Sequence, residues 1–411
     1  MPPAATPIGV SDVLSGVVGI VRGRRELDRF RRELTEYFGV KHCFVASSGK
    51  AAFALVLLAL RELHPGRDDV LIPGFTCYSV PSSIVRAGLK VKLCDLSPQR
   101  LDFDFASLSA ILSAGEKLLA VVPTHLFGYP SDVLRLRGLM RDPQVTIVED
   151  AAQAMGETWQ GKKLGTLGDV GFFSLGRGKA FSAVEGGVIL TDRDDIAEAL
   201  SRRIASLPDY GIGKLAGLVL KALAMTCFTH PLLFWIPRSI PFLRLGETLF
   251  EPDFPMLRMS AFQAGLAARW RQRLQSVRDA RRRNAQRWTE VLEEVGNCSF
   301  PAQESSLPGL LRLPVRIRDA QKRKALLQES ARRGKGVMPA YPASINRIPE
   351  LKGELGAQSL PVAESCAREI VTLPTHAYLT ESDVAAIRHL LTDVFAMGDR
   401  LGESGTAAGT R

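Results

Sequence analysis

Short apolar runs alternate with helix-like patterns along the first half of the chain. The apolar runs predict strands at residues 70–73, 91–94, 118–123, 145–148 and 188–191. Apolar residues at helical spacing between them predict helices at residues 50–63, 80–87, 105–114 and 131–141. Near-continuous apolar strands that alternate with helices are typical of a mostly parallel sheet covered on both faces. We therefore predict an α/β fold.

A second region follows, at residues 259–396. It opens with apolar side chains at helical spacing, which predict one long helix, namely Phe262, Leu266, Trp270, Leu274 and Val277. It closes with a second helical pattern at residues 381–395. We predict a large domain over residues 1–258 and a smaller α/β domain over residues 259–396. The tail, residues 397–411, is rich in glycine and other small residues, and we predict that it is disordered.

Residues 212–247 form an unusually apolar insertion in the predicted large domain. Lys221, Pro231 and Pro237 interrupt it, and a spanning helix needs about 20 apolar residues, so we do not expect a transmembrane helix. Two interpretations stay open. The more common one is packing in the interior or at a dimer interface. The other is contact of residues 215–245 with the headgroups of a membrane surface.

The composition is that of an ordinary globular protein, with 46% hydrophobic and 23% charged residues. The formal net charge is +10, but the basic residues are spread over helical segments without a nucleic-acid-binding motif, so we expect no nucleic-acid partner. The cysteines form no CxxC pair and the histidines no metal-ligand spacing. We therefore expect reduced thiols, no metal site and, because no secretory signal is recognisable, a cytoplasmic protein that is peripheral on the inner face of the membrane if residues 215–245 bind it.

Candidate catalytic residues follow the predicted strands. Asp150 ends a buried strand, where a carboxylate needs a positive partner, and the protonated pyridine nitrogen of pyridoxal phosphate (PLP) is such a partner. Gln153 follows one turn later, in reach of the phenolic oxygen of the same ring. Lys179 lies between the strand at residues 172–174 and a glycine-rich turn. A desolvated lysine near other cations has a lowered pKa and is nucleophilic, as the Schiff-base lysine of a PLP enzyme must be.

An anion site is predicted at residues 44–53, where a strand ends and small residues open a helix. Free backbone N–H groups and the helix dipole favour a phosphate there, so we expect Ser48 and Gly49 to bind it, with Ser174 adding a hydroxyl. Taken singly, each pattern has an ordinary explanation, either a helix cap or an exposed lysine in a loop. Their joint occurrence favours a PLP site.

The order of these motifs resembles that of the DegT/StrS-type sugar aminotransferases, which are fold-type I PLP enzymes. The matching segments are residues 48–52, 72–76, 123–128, 149–153, 173–179, 258–264, 360–364 and 373–376. The resemblance implies a PLP-binding large domain and a smaller C-terminal domain. It also implies that Lys179 is the Schiff-base lysine, that Asp150 pairs with the pyridine nitrogen and that Gln153 contacts the ring oxygen. The phosphate ligands would be Ser48, Gly49 and Ser174.

The same resemblance implies an activity. An amino group would pass from a donor, glutamate, to a keto-sugar, nucleotide-linked in this family, in cell-surface polysaccharide or secondary-metabolite biosynthesis, with Lys179 as general base and acid. The site lies between subunits in this family, so we expect a homodimer. Two alternatives stay open. One is a PLP-dependent sugar dehydratase or isomerase, although family dehydratases carry histidine in place of the lysine. The other is a non-catalytic, membrane-associated protein of the same fold.

Several positions depart from the family pattern. Lys50 stands where the family usually has threonine, and Met256 stands where it has an asparagine that reaches the phosphate of the neighbouring subunit. We expect Lys50 to replace that contact with a direct charge. Cys77 takes the usual place of the ring-stacking aromatic residue, and we expect the next residue, Tyr78, to supply the stacking. Met155 stands where the family often has histidine.

Overall fold

The structure is a computed structural model that describes most of the chain. The described residues are 1–114, 117–231, 233–234, 236, 248–296, 299 and 307–403, with the backbone alone for 397–403. The strands are β1 (His42–Ala46), β2 (Asp69–Pro73), β3 (Lys90–Cys94), β4 (Leu118–Val121), β5 (Thr146–Asp150), β6 (Thr158–Trp159), β7 (Lys162–Lys163), β8 (Val170–Ser174), β9 (Gly187–Thr191), β10 (Arg312–Arg316), β11 (Met338–Pro339) and β12 (Ile370–Pro374).

Helices precede, connect and follow these strands. They are α1 (Val10–Arg22), α2 (Arg24–Phe38), α3 (Gly49–Leu63), α4 (Ser79–Arg86), α5 (Phe105–Ala114), α6 (Val133–Leu139), α7 (Asp194–Ala205), α8 (Ile212–Phe228), α9 (Ala261–Leu266), α10 (Trp270–Val295), α11 (Ala320–Arg333), α12 (Lys352–Leu355), α13 (Pro361–Glu369) and α14 (Glu381–Glu403). Single 3₁₀ turns lie at Leu126–Gly128, Ile345–Arg347 and Pro349–Leu351.

A seven-stranded sheet forms the centre of the molecule, in the order β1-β9-β8-β5-β4-β2-β3. All neighbours from β8 to β3 pair in parallel, whereas β9 is antiparallel to both β1 and β8. The carboxyl ends of β1, β8, β5, β4 and β2 therefore meet at one edge of the sheet. The mostly parallel α/β fold that the apolar pattern predicts is confirmed.

Helix α3 fills the core against one face of this sheet. Its residues are apolar almost all round, and Phe53 stacks on Phe172 of β8 with ring centroids 4.6 Å apart. A helix that is apolar on every side has to be buried, and α3 is covered by the sheet and by the neighbouring helices α4 and α7. This burial fixes the start of α3 at the edge where the strands end.

A small antiparallel sheet, in the order β10-β12-β11, lies in the second region of the chain. Helix α10 contacts the turn after β8 and the small sheet through one side of its surface. Near its middle, the Arg281 guanidinium donates to backbone carbonyls that follow β8. One turn later, Asn284 donates to the carbonyl of Thr375, and the Trp288 indole donates to that of Pro374 at 2.7 Å. The division into a large domain (1–258) and a small domain (259–396) stays a prediction.

The single long helix predicted at the start of the second region is wrong. It is two helices, because α9 ends at Leu266 and α10 begins only at Trp270. Arg269, which caps α10, has φ −115° and ψ 31°, outside the helical range. Phe262, Leu266 and Trp270 are nevertheless fully buried. The apolar spacing therefore identified the buried positions, although it did not reveal the break.

The apolar insertion begins as helix α8, and its residues 232, 235 and 237–247 lie outside the described residues. Among the residues that the structure describes, no helix combines the length and the apolar character needed to cross a membrane. The last helix, α14, runs to Glu403, so residues 397–403 of the predicted disordered tail are helical. Residues 404–411 of that tail lie outside the described residues.

Candidate active site

The carboxyl edge of the central sheet brings together most of the predicted site residues. Asp150 ends β5 and Ser174 ends β8, while Ser48 follows β1 and caps α3. Lys179 lies in the turn that follows β8. These positions are distant in sequence, and they meet because parallel strands end at the same edge.

The backbone around Lys179 is held from three directions. Its N–H donates to the carbonyl of Gly176, and its own carbonyl accepts from Arg281 at 3.1 Å and from the hydroxyl of Thr6. Arg281 also donates to the carbonyl of Gly178 at 2.9 Å. A buried guanidinium that spans successive carbonyls leaves the turn little freedom. The side chain of Lys179 therefore projects from a fixed base.

The electrostatic surroundings of Lys179 favour its neutral amine. Burial lowers the pKa of Lys179 below its usual value, and the positive charges of Arg312 and Arg281 act in the same direction. Cys77 and Asp150 oppose this effect, because a negative neighbour raises the pKa of a lysine. A lowered pKa increases the fraction of nucleophilic amine at neutral pH.

Asp150 is a buried carboxyl group with few partners. One carboxylate oxygen accepts from the N–H of Ala152 at 3.1 Å, and Lys179 and His125 lie near enough to act on the pKa of the side chain. Burial raises the pKa of Asp150, whereas these three groups lower it. The carboxylate therefore needs a cationic partner in the site to stay ionised at low cost.

Glu149, which precedes Asp150, has a structural role. Its fully buried carboxylate accepts from the backbone N–H groups of Gly165, Leu167 and Gly168, and from Nε2 of His125 at 2.9 Å. Nδ1 of His125 accepts from a backbone N–H, so the ring proton is on Nε2. This network fixes the loop between β7 and β8, which leads into β8.

A narrow contact marks the predicted phosphate site. A Cβ added to Gly49 would lie 2.7 Å from Cβ of Ser174, closer than real side chains approach. Ser48 caps α3, since its Oγ accepts from the N–H of Ala51 at 3.1 Å. The first N–H groups of α3 therefore open beside the hydroxyl of Ser174, which is the geometry expected of an anion site.

Gln153 lies in the site, and both ends of its amide have partners. Oε1 accepts from the N–H of Phe127 at 3.1 Å, and Nε2 donates to the hydroxyl of Tyr341 at 3.1 Å. Phe127 has φ 58°, a left-handed conformation that is rare for a residue other than glycine and that concentrates at functional sites. The second hydrogen of Nε2 is the one left for a ligand.

Two residues of the second region, Arg312 and Tyr341, complete the site. Arg312 lies at the start of β10 with its guanidinium 5.8 Å from the ring centroid of Phe127, and its buried Nε has no acceptor among the described residues. Burial lowers the pKa of Arg312 and raises that of Tyr341. The site therefore holds a cation with an unused hydrogen-bond donor, which suits an anionic ligand.

Two predicted residues have other partners in this arrangement. The ammonium of Lys50 lies 3.3 Å from the carboxylate of Glu251 and 4.8 Å from the ring centroid of Phe254, so its charge is already matched. Tyr78 donates its hydroxyl to the carbonyl of Ala343 at 3.2 Å, and Cys77 is the electrostatic neighbour of Lys179. The roles of Lys50 in phosphate binding and of Tyr78 in ring stacking stay predictions.

Sequence reasoning missed four residues of the site. Thr6, Arg281, Arg312 and Tyr341 come from the beginning of the chain and from its second region, and no motif near them points to chemistry. A weak signal exists for Arg281, which lies on the buried side of an otherwise charged helix at helical spacing from Trp270, Leu274 and Val277.

The residues present fit PLP. The Gly49–Ser174 contact suits a phosphate, the buried carboxyl group of Asp150 suits a pyridinium, and the amine of Lys179 suits an aldehyde. Thr76 and Thr124, which follow β2 and β4 at the same edge, have buried hydroxyls without a partner among the described residues. Orphaned hydroxyls at a built site are expected where a polar ligand binds.

Known proteins resemble this chain in sequence over most of its length. The sequence model described as the DegT/DnrJ/EryC1/StrS aminotransferase family matches residues 10–226 and 250–392. An L-glutamine:2-deoxy-scyllo-inosose aminotransferase from Streptomyces lividus is 29% identical over 93% of this chain and 90% of its own length. A GDP-perosamine synthase from Caulobacter vibrioides is 35% identical over 42% of this chain. The chain spans about half the length of that synthase, 46%.

The fold also matches a solved structure. The Helicobacter pylori aminotransferase PseC, described as involved in the biosynthesis of pseudaminic acid, superimposes with a TM-score of 0.76 at 16% identity. The match covers 96% of this chain and 99% of PseC. At this identity the comparison concerns the fold, and it confirms the predicted fold class.

Proposed function

The chain belongs to the DegT/DnrJ/EryC1/StrS aminotransferase family, a family of PLP-dependent enzymes, and on that premise we propose that it transfers an amino group to a keto-sugar. The observation that carries the proposal is the meeting of Lys179 and Asp150 beside the Gly49–Ser174 contact. The names of the relatives support a sugar or sugar-like acceptor, and a nucleotide-linked keto-sugar is the acceptor that we propose.

PLP, when bound, supplies an aldehyde that condenses with amines and a ring that accepts electrons from the substrate carbon. Lys179 then has two tasks in the proposal. Its amine holds the aldehyde between turnovers, and once released it carries the proton from the donor carbon to the cofactor carbon as general base and acid. Both tasks need a neutral amine, which burial and the cation of Arg312 favour.

Asp150 holds a proton on the ring nitrogen. A carboxylate at hydrogen-bond distance from a pyridine nitrogen favours its charged form, and the positive ring in turn stabilises the buried carboxylate. Each group therefore lowers the cost of burying the other. Gln153, through its remaining amide hydrogen, is the proposed partner of the ring oxygen.

Arg312 is the proposed anchor of the amino donor. Its guanidinium lies near enough to Lys179 to lower the pKa of the lysine, and its buried Nε has no acceptor among the described residues and can donate to a carboxylate oxygen. Arginine binds carboxylates in pairs of parallel hydrogen bonds, which fixes both position and orientation. Glutamate and glutamine both carry the carboxylate that this anchor requires, and the Streptomyces lividus relative is named for glutamine.

We also propose a homodimer, because family sites lie between subunits. The proposal predicts a mass of twice 44.8 kDa in light scattering after gel filtration. A monomer that turns over normally would contradict the dimer and leave the catalytic assignment intact.

The experiment that tests the function is an absorbance spectrum of the purified protein with PLP. We expect a band of lysine-bound cofactor that disappears when glutamate or glutamine is added and returns with a suitable keto-sugar. Lys179→Ala should remove the band and reduce turnover by at least about 10³-fold, since it removes both the attachment point and the proton carrier. Lys324→Ala, in an exposed lysine of α11, is the matched control.

The outcomes separate the alternatives. A spectrum that amino donors leave unchanged, with loss of water from a deoxy-keto-sugar, would indicate a dehydratase. A protein that binds no cofactor would indicate a non-catalytic member of the fold. Undiminished amino transfer by Lys179→Ala would refute the assignment of the lysine.

A further inference from the structure

Two neighbouring helices, α1 and α8, present apolar side chains to the outside. On α1 the exposed stripe consists of Val10, Leu14, Val17, Val18 and Val21. On α8 the exposed positions Ile212, Ala216, Leu220, Leu223 and Cys227 form the second stripe. Both follow the spacing of one helix face. Together they form what we call the apolar ridge, in which Val21 is 86%, Ile212 90% and Leu220 67% exposed.

The apolar ridge is not the face that holds either helix in the fold. Helix α1 packs through Gly16 and Gly19 on α9, so closely that a Cβ on Gly19 would lie 2.5 Å from the carbonyl of Ala261. Helix α8 packs through Leu218 and Ala222 into the same core. Each helix is therefore apolar on two sides, and folding of this chain uses only one of them. Several exposed apolar side chains on two neighbouring helices mark an interaction site.

Basic residues border the apolar ridge. Arg22, Arg24 and Arg25 follow its α1 stripe, and all three are exposed. Lys214 and Lys221 lie on α8, the second of them 2.7 Å from Glu185. Within Ile212–Phe228, which the structure describes, the charged residues are these two lysines alone.

The acidic residue of α1 does not weaken this charge pattern. Asp12 is buried and bound by Arg269 at 2.8 Å and by Arg273 at 3.5 Å. An apolar stripe with basic borders matches the two layers of an anionic membrane surface, acyl chains beneath phosphate groups.

A second copy of the chain fits the apolar ridge less well. A symmetric contact brings the same surface of two molecules together, so each basic border would lie against a surface of the same positive charge. Like charges across an interface are unfavourable, whereas an anionic lipid surface supplies the opposite charge. A transmembrane insertion does not fit, since Lys214 and Lys221 interrupt α8.

We propose that the apolar ridge docks this protein on an anionic lipid surface, with α1 and α8 lying in the plane of the interface. Sequence reasoning left membrane contact of residues 215–245 open as the less common of two interpretations, and the inference adds α1 as a second and equal element. It goes beyond amino transfer and does not depend on it.

Co-sedimentation with vesicles tests the proposal. The full chain is mixed with vesicles of phosphatidylcholine containing about 30% phosphatidylglycerol, or of phosphatidylcholine alone, at low and high salt. We expect binding to the anionic vesicles that is at least about tenfold tighter than to the neutral ones and that weakens with salt. The double variant Leu14→Ser with Val21→Ser, confined to α1, should weaken it about tenfold or more.

The matched control is Val85→Ser, which removes an exposed apolar side chain from α4, away from the apolar ridge. It should bind vesicles as the unaltered chain does. Arg24→Glu should weaken binding to anionic vesicles at least about fivefold and leave binding to neutral ones unchanged. Amino transfer by each variant, measured without vesicles, should be unchanged and shows that the variant is folded.

Three results would overturn the proposal. One is an unaltered chain that stays in solution with both kinds of vesicle at low salt. Another is a Leu14→Ser, Val21→Ser variant that binds as tightly as the unaltered chain, because α1 then takes no part. The third is a dimer or a larger assembly that this variant breaks while vesicles bind nothing, because a second copy then covers the apolar ridge.

Discussion

At the scale of single residues, the candidate site depends on close approach as much as on charge. Gly49 and Ser174 lie so near each other that a side chain at position 49 has no room. Lys179 and Asp150 carry the reacting groups, but Arg281 and Thr6 hold the backbone of Lys179, and the N–H of Ala152 donates to the carboxylate of Asp150. Small residues and fixed backbone atoms therefore matter to the chemistry as directly as the reacting groups.

Gly49→Ala tests the phosphate site. The new Cβ would clash with Ser174, so the start of α3 must shift away from β8. The N–H groups of α3 would then no longer point at the phosphate. We expect the Kd for PLP to rise at least about tenfold, with the free energy of unfolding less affected. Gly138→Ala, where nothing lies within 4 Å of an added Cβ, is the control and should bind PLP normally. Equal affinities would show that the phosphate lies elsewhere.

Arg312→Gln tests the electrostatics around Lys179. The positive charge of Arg312 helps to lower the pKa of Lys179, so its removal should raise that pKa. The neutral amine then appears only at higher pH, and the pH at which PLP attaches at half its maximal rate should move upward by about one unit. The attachment is trapped by borohydride reduction and counted by mass spectrometry.

Arg316→Gln, on the same strand but paired with Glu369, is the control for this measurement. It should leave the pH profile in place. A profile that Arg312→Gln leaves unchanged, or moves to lower pH, would contradict the proximity of the two cations. The KM for glutamate should also rise in Arg312→Gln and not in the control, because Arg312 is the proposed anchor of the donor carboxylate.

At the scale of helices and strands, the packing of α1 on α9 depends on glycine. Gly19→Ala places a methyl group 2.5 Å from a carbonyl oxygen of α9, and backbone cannot move aside as a side chain can. We expect a loss of about 1–3 kcal/mol in the free energy of unfolding, measured by urea titration. Gly217→Ala in α8, where a Cβ meets open space, should instead gain up to about 1 kcal/mol from helix propensity.

An unchanged free energy of unfolding in Gly19→Ala would show that α1 and α9 are not in contact through Gly19. The prediction also bears on the apolar ridge, because α1 can present its outer stripe only while its inner side is held on α9.

Elements were predictable where local pattern and burial agree. The strands β2, β3, β4, β5 and β9 match the predicted apolar runs to within two residues at either end, because each lies in the buried central sheet and carries a run of apolar side chains. The break between α9 and α10 was not predictable, since the apolar spacing continues across it. Helical spacing indicates which side of a segment is buried. It does not reveal a turn after which the same side still faces the core.

The candidate site divides in the same way. Lys179, Asp150 and Ser48 follow strands, so local sequence was enough to propose them. Arg281, Arg312 and Tyr341 reach the site only through the packing of the second region on the first, which no local pattern records. Lys50 shows the reverse case, because Glu251, 201 positions away, lies beside the charge that sequence reasoning had assigned to phosphate.

At the scale of the whole molecule, stability should depend on pH through His376. This histidine is buried and joins the second region to the beginning of the chain, with Nε2 donating to the carbonyl of Pro2 at 2.8 Å. Burial lowers the pKa of His376 to about 4 from 6.5. The nearby Arg281 acts in the same direction and Asp383 opposes it.

The sign of the effect follows from these two values. Below pH 6.5 the unfolded chain binds a proton at His376, whereas the folded chain does not bind one until the pH approaches 4. The contribution of the neutral histidine to the free energy of unfolding is therefore complete above pH 6.5 and is lost as the pH falls toward 4. The loss is about 2 kcal/mol at pH 5. Urea titrations at pH 7.5 and about pH 5 measure it, and His376→Gln should reduce the difference between the two pH values by about that amount. His389→Gln, in an exposed histidine of α14, should not.

Helix α10 fixes the spacing between contacts to the two regions of the chain. Arg281 donates to the carbonyls beside Lys179, while Asn284 and Trp288, on the same side, donate to those of residues 374–376. One residue inserted after Arg281 would rotate the rest of the helix by about 100°. The hydrogen bonds of Asn284 and Trp288 would break, while those of Arg281 would remain. The length of this helix should therefore tolerate change far less than its amino-acid sequence does. In a library of single-residue insertions, we expect this stretch to be the least tolerant.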